Sequence, residues 1–170
     1  IPDERIYLVG NVMIDTLLRC RDRAEESGIL EQLGVRSGGY GVLTLHRPAN
    51  VDDPAQFAPL FAALARIAQR LPLVFPVHPR TRKSLAAIGA ETTPGVILTE
   101  PLGYLDFMKL TAHARLVLTD SGGIQEETTV LDVPCLTLRA NTERPITCDE
   151  GTNQLVGLDP SAIETAAVAT

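Results

Sequence analysis

Six short, continuous apolar runs divide the chain. Runs of this kind predict buried strands, because a strand covered on both faces shows no alternation of apolar and polar positions. Each run is rich in Val, Leu or Ile. The runs cover residues 40–45, 73–77, 96–98, 116–118, 135–138 and 155–156.

Between these runs, apolar residues recur every three or four positions, which is the period of an amphipathic helix. Start and stop signals support the assignment: Asp53 followed by Pro54 predicts a helix start, and Pro72 predicts the end of that helix. Gly28 is expected to interrupt the first helical stretch. The predicted helices cover residues 12–33, 54–71, 82–88, 104–113 and 123–131, and a last one begins at Pro160.

The regular alternation of strands and helices is typical of an α/β domain built on a parallel sheet with helices on both faces. No internal repeat, low-complexity tract or linker is visible, so we predict one domain over residues 1–170. Ligands of open parallel sheets bind beyond the carboxyl ends of the strands. Residues that carry chemistry are therefore expected directly after strands.

The net charge of −6 bears on the class of partner. Nucleic acid is disfavoured, because phosphate backbones require clustered Lys and Arg. A small anion remains compatible, since a few backbone N–H groups and one Arg can hold it. No apolar run reaches the roughly 18 residues of a membrane span, so no membrane partner is expected.

The three cysteines, Cys20, Cys135 and Cys148, are odd in number and lack metal-type spacing. Reduced thiols and a cytoplasmic location are therefore favoured over a disulfide framework. The three histidines lie far apart and no HExxH or CxxC motif occurs, so we predict no metal site. The sequence opens without Met or a leader and stops in mid-pattern at Thr170, and we expect both ends to be cuts in a longer protein.

The strongest candidate for chemistry is the segment 119–127, Thr-Asp-Ser-Gly-Gly-Ile-Gln-Glu-Glu, between the fourth strand and a helix. Its two glycines let a ligand approach the backbone, and the helix start offers unpaired N–H groups that suit a phosphate. Ser121 can add a hydroxyl donor, and Glu126 or Glu127 could hold a ribose diol. The alternative is a plain helix cap with Ser121 as N-cap. The segment matches neither the dinucleotide fingerprint nor a P-loop, which disfavours NAD and ATP.

Two further candidates also follow strands. His46, which precedes Arg47 after the first strand, could donate to a phosphate or act as an acid or base, or it could be an ordinary loop residue. Arg144, in a Thr-Glu-Arg-Pro segment after the fifth strand, could pair with a diphosphate in forked geometry. Its alternative is a solvated pair with Glu143.

Structural interpretations are favoured for the remaining polar and aromatic features. The basic cluster 78–83 is read as a solvated helix start, with an anion site as the alternative. The segment 151–154 is read as a polar turn, and Phe107 as core packing. Asp106 and Asp120 are read as capping or surface carboxylates.

A hydrolase triad of Ser121, His46 and Asp120 is rejected. Asp120 directly precedes Ser121 and is not expected to orient His46, and no GxSxG elbow occurs.

Seven segments stand in the order in which they occur in UDP-N-acetylglucosamine 2-epimerases, and the chain resembles the non-hydrolysing branch of that family. One such segment would be weakly specific, whereas seven in order are highly specific. The resemblance covers about residues 8 to 160. The segments are 10–15, 45–50, 76–81, 102–107, 119–127, 141–145 and 151–157.

The resemblance implies a two-domain fold of the glycosyltransferase-B type, with the active site in the cleft between two Rossmann-like halves. This chain resembles the C-terminal half, which holds the UDP moiety. By resemblance, Ser121, Gly122 and Gly123 bind the diphosphate, and Glu127, with Glu126 as the second choice, binds the ribose.

The resemblance also implies that the backbone near Phe107 faces the uracil. Arg144 would contact the sugar and phosphates, and His46 would be the catalytic residue beside the diphosphate. The family's reaction inverts C2 of the sugar by eliminating UDP and adding it back to the other face. The base for the C2 proton is expected from carboxylates of the N-terminal half. The implied partners are UDP-N-acetylglucosamine or UDP, the N-terminal domain and a second subunit in a homodimer, and no cofactor is implied.

The sequence departs from the family pattern at Pro48-Ala49, where many members carry Arg-Glu or Pro-Glu, and at Pro79-Arg80. The first departure removes a carboxylate and puts a local salt bridge in doubt. Two other functions remain open: a glycosyltransferase of the same architecture that uses a UDP-sugar donor, and a non-catalytic module that binds UDP-sugars.

Overall fold

The protein is described by a computed structural model that covers residues 1–7 and 9–170; Leu8, where the resemblance begins, lies outside the described residues. Six parallel strands of the described part form one sheet in the order β3-β2-β1-β4-β5-β6. The strands are β1 (Gly41–Thr44), β2 (Leu73–Pro76), β3 (Val96–Thr99), β4 (Leu116–Thr119), β5 (Cys135–Thr137) and β6 (Asn153–Leu155).

Helices connect the strands, and a short 3-10 turn (Asp3–Arg5) precedes them. The described helices are α1 (Val12–Glu25), α2 (Ile29–Leu33), α3 (Pro48–Val51), α4 (Pro54–Ala68), α5 (Pro79–Ala87), α6 (Tyr104–Ala112), α7 (Gly122–Val130), α8 (Ile146–Asp149) and α9 (Pro160–Ala169). The predicted strands and long helices are confirmed, and Gly28 does separate α1 from α2. The one-turn helices α3 and α8 were not predicted.

Both faces of the sheet are covered, as the continuous apolar runs predicted. Leu43 and Leu118 pack on one face with Phe57 of α4, in a cluster that α9 also joins. Val42 and Val117 point to the other face, in a cluster that includes residues of α2 and α6. Because neighbouring strand residues point to opposite faces, a strand buried on both faces needs apolar residues at successive positions.

The order of the strands places a crevice between β1 and β4. The chain runs from β1 to β2 and β3 on one side of the sheet and then returns to β4 on the other. Thr44 and Thr119, the last residues of β1 and β4, stand opposite each other in the register. Ligands of doubly wound sheets bind at such a switch point, beyond the carboxyl ends of the strands.

No helix in the described part of the chain is long and apolar enough to cross a membrane. Cys20, Cys135 and Cys148 are free thiols. Among residues 1–7 and 9–170, no group of three or more His, Cys, Asp or Glu side chains could hold a metal ion.

Candidate active site at the carboxyl ends of β1 and β4

The ends of β1 and β4 are joined by side-chain contacts as well as by the backbone hydrogen bonds of the sheet. The hydroxyl groups of Thr44 and Thr119 are 2.6 Å apart, and the Thr119 Oγ1 accepts the backbone N–H of Ser121 at 3.0 Å. Both strands therefore deliver their following loops to one point of the sheet edge.

Asp120 is the buried centre of this point. Its side chain is fully buried, and its carboxylate accepts the backbone N–H of Arg47 at 2.9 Å and the side-chain N–H of Asn50 at 3.1 Å. The same carboxylate accepts the backbone N–H of His46 and lies 2.9 Å from the His46 Nδ1. The prediction that Asp120 is a surface or capping carboxylate unable to orient His46 is therefore wrong. The position of Asp120 next to Ser121 in the sequence does not reveal that the pairing of β1 with β4 brings Asp120 to His46.

His46 lies at the mouth of the crevice with 44% of its side chain exposed. Asp120 raises the pKa of His46 by accepting its ring N–H; partial burial and the charge of Arg47 oppose this effect. The protonated imidazole is thus favoured at a position open to a ligand. Among the described residues, no group bonds to the other ring nitrogen, Nε2.

The start of α7 lacks a side-chain cap. Ser121 has the extended backbone of an N-cap residue, but its hydroxyl makes no capping hydrogen bond and the first turn carries no acidic residue. The plain-cap alternative is therefore not what the structure contains. The helix keeps unpaired N–H groups and a partial positive charge at the switch point, next to His46.

Other segments approach the two glycines of this turn to different degrees. A Cβ on Gly122 would lie 3.7 Å from the Glu143 Oε2, and a Cβ on Gly123 would lie 2.9 Å from the Met13 Cε. Gly122 thus has room for a side chain on the protein side, while Gly123 lets the start of α1 pack against α7.

The two adjacent glutamates of α7 have different surroundings. The Glu126 carboxylate accepts from the Asn11 Nδ2 at 3.0 Å and lies 3.1 Å from the Arg144 Nε. The latter contact is an ion pair rather than an aligned hydrogen bond, because both atoms lack a hydrogen-bond partner. Glu127 forms no hydrogen bond or ion pair with any described residue. Burial, and then the charge of Glu126, raise the pKa of Glu127.

The Thr-Glu-Arg-Pro segment is held by ion pairs of a different pattern from the one expected. Glu143 takes both guanidinium N–H groups of Arg139, at 2.7 and 2.8 Å, which lowers its pKa to about 2. It also lies 3.8 Å from Arg47. Arg144 reaches back to Glu126, so the alternative of a solvated pair between Glu143 and Arg144 is wrong.

A buried polar network, not predicted from the sequence, connects the Thr-Glu-Arg-Pro segment to α7 and β6. Gln125 is fully buried; it donates to the Ser121 carbonyl at 3.2 Å and accepts from the Thr142 hydroxyl at 2.6 Å and from the Asn153 Nδ2 at 3.3 Å. Asn153 in turn accepts from the Thr137 hydroxyl at 2.6 Å. Only the first part of the segment 151–154 is therefore a turn, because Asn153 begins strand β6 and is buried. Polar residues spaced along three different elements gave no local signal of this network.

Phe107 and Asp106 behave as structural residues. Phe107 is partly buried and packs against the cluster that contains Tyr40 and Val42, as predicted. The Asp106 carboxylate accepts the hydroxyl of Ser27 at 2.6 Å and ties α6 to the turn before α2.

The basic cluster 78–83 is a helix start with both of its arginines paired. The His78 ring caps α5 by accepting the Arg80 N–H at its Nδ1, at 3.2 Å. Arg80 pairs with Asp52 and Arg82 pairs with Glu100, both at 2.7 Å. The His78 and His46 rings are 6.3 Å apart between centroids, so the cluster borders the crevice.

Comparison with known protein sequences gives one family. The family described as UDP-N-acetylglucosamine 2-epimerase matches residues 1–170. A UDP-N-acetylglucosamine 2-epimerase of Methanococcus maripaludis is 39% identical over 96% of this chain and 47% of its own length. A UDP-2,3-diacetamido-2,3-dideoxy-D-glucuronate 2-epimerase of Pseudomonas aeruginosa is 40% identical over 90% of this chain and 42% of its own length. The chain therefore spans about half the length of the curated relatives it matches.

Solved structures give the same result. The UDP-GlcNAc 2-epimerase of Methanocaldococcus jannaschii, in complex with UDP-GlcNAc and UDP, has a TM-score of 0.89 and 36% identity over 99% of this chain and 48% of its own. A heptosyltransferase of Escherichia coli with ADP, at 18% identity and a TM-score of 0.50 over 78% of this chain and 42% of its own, shares the fold alone. The predicted likeness to the C-terminal domain of the glycosyltransferase-B fold is confirmed. On the match over its whole length, the chain belongs to the UDP-N-acetylglucosamine 2-epimerase family.

Proposed function

We propose that this chain is the UDP-binding, C-terminal half of a UDP-N-acetylglucosamine 2-epimerase, which interconverts UDP-GlcNAc and UDP-ManNAc by eliminating UDP and adding it back. The observation that carries the proposal is the uncapped start of α7 beside a histidine held by a buried carboxylate, at the switch point of the sheet. That arrangement suits a diphosphate, because backbone N–H groups and an imidazolium both donate to anionic oxygens.

In this proposal the turn of Ser121, Gly122 and Gly123 binds the diphosphate, and Glu127 binds the ribose. Glu127 is preferred to Glu126 because its carboxylate has no protein partner among the described residues, whereas Glu126 is engaged by Asn11 and Arg144. A carboxylate that is half-buried and unpartnered costs the fold stability, which a ribose diol would offset by donating two hydrogen bonds.

Two other contacts stay predictions. The backbone near Phe107 faces the uracil, since Phe107 lies in α6, which starts beyond β3 on the same edge of the sheet. Arg144 contacts the sugar or phosphates. Its pairing with Glu126 leaves 42% of its side chain exposed, so its guanidinium can reach a ligand.

The chemistry of this half is stabilisation of the leaving group. Elimination places negative charge on UDP, and donors already aimed at the diphosphate lower the barrier without reorganisation. His46 supplies a ring N–H donor, and its hydrogen bond with Asp120 raises its pKa and so favours the charged form. The base for the C2 proton belongs to the other half of the whole protein, in which the N-terminal domain closes the cleft. Assembly as a homodimer and a cytoplasmic location are further parts of the proposal.

A second substrate is supported by the Pseudomonas aeruginosa relative, which is as similar to this chain as the UDP-N-acetylglucosamine 2-epimerases are. Both kinds of enzyme are named for a 2-epimerisation of a UDP-sugar, so the uridine site would serve either. UDP-GlcNAc and the diacetamido-glucuronate nucleotide, offered together to the whole protein, separate the two by which one is turned over.

Calorimetric titration of this chain with UDP, and with ADP as control, tests the uridine site. We expect UDP to bind and ADP to be excluded. Ser121→Ala should weaken UDP binding by about 1–3 kcal/mol, the scale of a lost hydrogen bond to a charged group. Ser161→Ala is the matched control, because Ser161 is an exposed serine in the first turn of α9. Equal affinity of the Ser121→Ala variant and the wild type would remove Ser121 from the site.

A further inference from the structure

The three histidines of this chain make three different contacts through their rings. The His46 Nδ1 faces a carboxylate, the His78 Nδ1 accepts a backbone N–H, and the His113 Nε2 lies 3.0 Å from the Glu25 carboxylate. Since a neutral imidazole carries one proton, the partner of one ring nitrogen decides which nitrogen bears it.

We propose that Asp120 is a positioning residue that fixes His46 as the Nδ1–H form and so leaves Nε2 as the ring nitrogen that meets the ligand. The identity of that ligand as a UDP-sugar rests on the proposed function, whereas the assignment of the proton rests on the contacts alone.

The first step is the hydrogen bonding of Asp120. Besides the His46 ring, its carboxylate receives the backbone N–H groups of His46 and Arg47 and the side-chain N–H of Asn50. These groups are all donors, so both carboxylate oxygens act as acceptors.

The second step is the proton on the ring. Since the Asp120 oxygens act as acceptors, the Nδ1 at 2.9 Å carries a hydrogen in the neutral as well as in the protonated imidazole. Proton gain and loss are thereby confined to Nε2. The same atom is a donor to an anionic oxygen when His46 is protonated and an acceptor when it is neutral.

The third step is the direction of Nε2. His46 is pinned from two sides, by its backbone N–H and by its Nδ1, to one residue on the neighbouring strand end. Its ring is left with 44% of the side chain exposed at the switch point, and no described residue bonds to Nε2. The charged or titratable groups that face the ring are Asp120, Arg47 and His78.

The other two histidines are internal references with the opposite assignment. The His78 Nδ1 accepts the N–H of Arg80, so the neutral ring must carry its hydrogen on Nε2. The His113 Nε2 faces Glu25, and its Nδ1 is 3.1 Å from the Ser37 hydroxyl, which again places the hydrogen on Nε2.

Long-range proton–nitrogen NMR spectroscopy of the nitrogen-labelled chain at alkaline pH tests the assignment directly. We expect one Nδ1–H imidazole, which disappears from the spectrum of the His46→Gln variant, and two Nε2–H imidazoles. A neutral His46 that carries its hydrogen on Nε2 would overturn the proposal, and this result needs neither a ligand nor a variant of Asp120.

The Asp120→Asn variant tests whether Asp120 determines which ring nitrogen of His46 carries the hydrogen. Asp106→Asn is the control, because the Asp106 carboxylate contacts Ser27 instead. The introduced side-chain amide can offer its NH2 group to the Nδ1, so we expect His46 to move to the Nε2–H form and its pKa to fall. An unchanged His46 spectrum in folded Asp120→Asn would contradict the proposal. If this variant does not fold, the wild-type spectrum still decides.

Titration with UDP-GlcNAc at about pH 6 and about pH 8.5 tests whether the His46 ring contacts the ligand. The diphosphate diester does not change its charge between these two pH values, so a change in affinity reports on the protein. Wild-type affinity should fall about tenfold with the rise in pH, as the charged donor is lost. The pH effect should disappear in Asp120→Asn and remain in His78→Gln. If the NMR spectrum is as expected but UDP-GlcNAc does not bind at either pH, the proposed function is refuted and the positioning role of Asp120 stands. Binding that is equal at both pH values in the wild type would refute the role of Nε2.

Discussion

At the scale of single residues, the neighbouring glutamates of α7 show how environment separates two identical side chains. Glu126 is tied to the start of α1 through Asn11 and to the loop after β5 through Arg144. Glu127 has no such partner in the described chain, and its pKa is raised by burial and by the charge of Glu126. Glu126 is therefore a structural carboxylate, and in our proposal Glu127 is the carboxylate that binds the ribose.

Glu127→Gln should bind UDP more weakly by about 1–3 kcal/mol and yet unfold at a higher temperature. The folded protein holds Glu127 at a raised pKa, so ionised Glu127 opposes folding above that pKa, and the penalty is relieved as the pH falls through it. The gain in stability over the wild type, up to about 1 kcal/mol, should therefore shrink with falling pH. Calorimetric binding and thermal unfolding across pH measure the two effects.

Glu126→Gln is the matched comparison, one residue away in the same helix. It loses the ion pair with Arg144, so we expect a lower free energy of unfolding by about 1 kcal/mol, measured by urea denaturation. A stabilised Glu126→Gln together with a destabilised Glu127→Gln would reverse the two assignments.

Asp120 marks the limit of sequence reasoning at this scale. The candidate residues Ser121, Glu127 and His46 were all predicted, because each follows a strand or starts a helix and so leaves a local signal. The partner of His46 left none, since Asp120 is 74 positions away and meets it only through the pairing of β1 with β4. Local patterns predict which residues are available, and the register of the sheet decides which of them meet.

At the scale of elements, the start of α7 combines an open backbone with tolerance of a side chain. Gly122→Ala introduces a methyl group whose closest contact is an ordinary 3.7 Å to the Glu143 carboxylate. We expect unchanged or slightly higher stability, since Ala is favoured over Gly within helices. UDP affinity should fall at least about tenfold if the diphosphate approaches this backbone.

Gly28→Ala is the control for Gly122→Ala, because Gly28 also precedes or starts a helix, at α2, and would meet only Gln32 at 3.8 Å. Calorimetric titration of both variants with UDP makes the comparison. Full affinity in Gly122→Ala would show that the diphosphate does not use this turn.

The polar network below α7 fixes the helix to the loop after β5. Gln125→Leu keeps the volume but removes the acceptor of the Thr142 hydroxyl, while the Asn153 Nδ2 keeps the Thr147 hydroxyl at 3.1 Å. An unpaired buried group costs about 1–3 kcal/mol, so we expect the free energy of unfolding to fall by about 1–3 kcal/mol in urea denaturation. Gln154→Leu, at an exposed neighbour of Asn153 in β6, should change it by less than about 0.5 kcal/mol.

The elements missing from the sequence prediction share one property. The helices α3 and α8 have four residues each, too few to show the three-to-four spacing that predicts a helix. They form because their neighbours hold them: Asn50 of α3 donates to Asp120 and to the Leu138 carbonyl, and the Thr147 hydroxyl of α8 accepts from the Asn153 Nδ2 of β6. Elements that depend on such tertiary contacts are invisible to periodicity, whereas the long amphipathic helices are not.

At the scale of the whole molecule, the fold and its site follow from one feature, the reversal of strand order between β1 and β4. The apolar runs predicted a parallel sheet covered on both faces, but no local pattern gives the order in which the strands lie. That order brings together the loops after β1 and β4, with α7, the His46 loop and the 142–145 segment around one crevice. In our proposal this crevice is one half of the cleft of the whole protein, and it supplies the donors for the diphosphate.

The last prediction concerns what this half can do alone. Exchange at C2 of UDP-GlcNAc requires a base within hydrogen-bond reach of the C2 proton. In our proposal that base lies in the N-terminal domain. We therefore expect this chain to bind UDP-GlcNAc but to incorporate no deuterium at C2 in heavy water, as followed by proton NMR of the sugar.

Adding the separately produced N-terminal half should restore deuterium incorporation and the formation of UDP-ManNAc. Restored turnover in this experiment would exclude a purely non-catalytic binding module, and release of UDP only when a sugar acceptor is present would indicate a transferase. Incorporation of deuterium by this chain alone would contradict the assignment of the C2 base to the N-terminal domain. His46→Gln would then be the first variant to measure, since His46 is a titratable group at the mouth of the crevice.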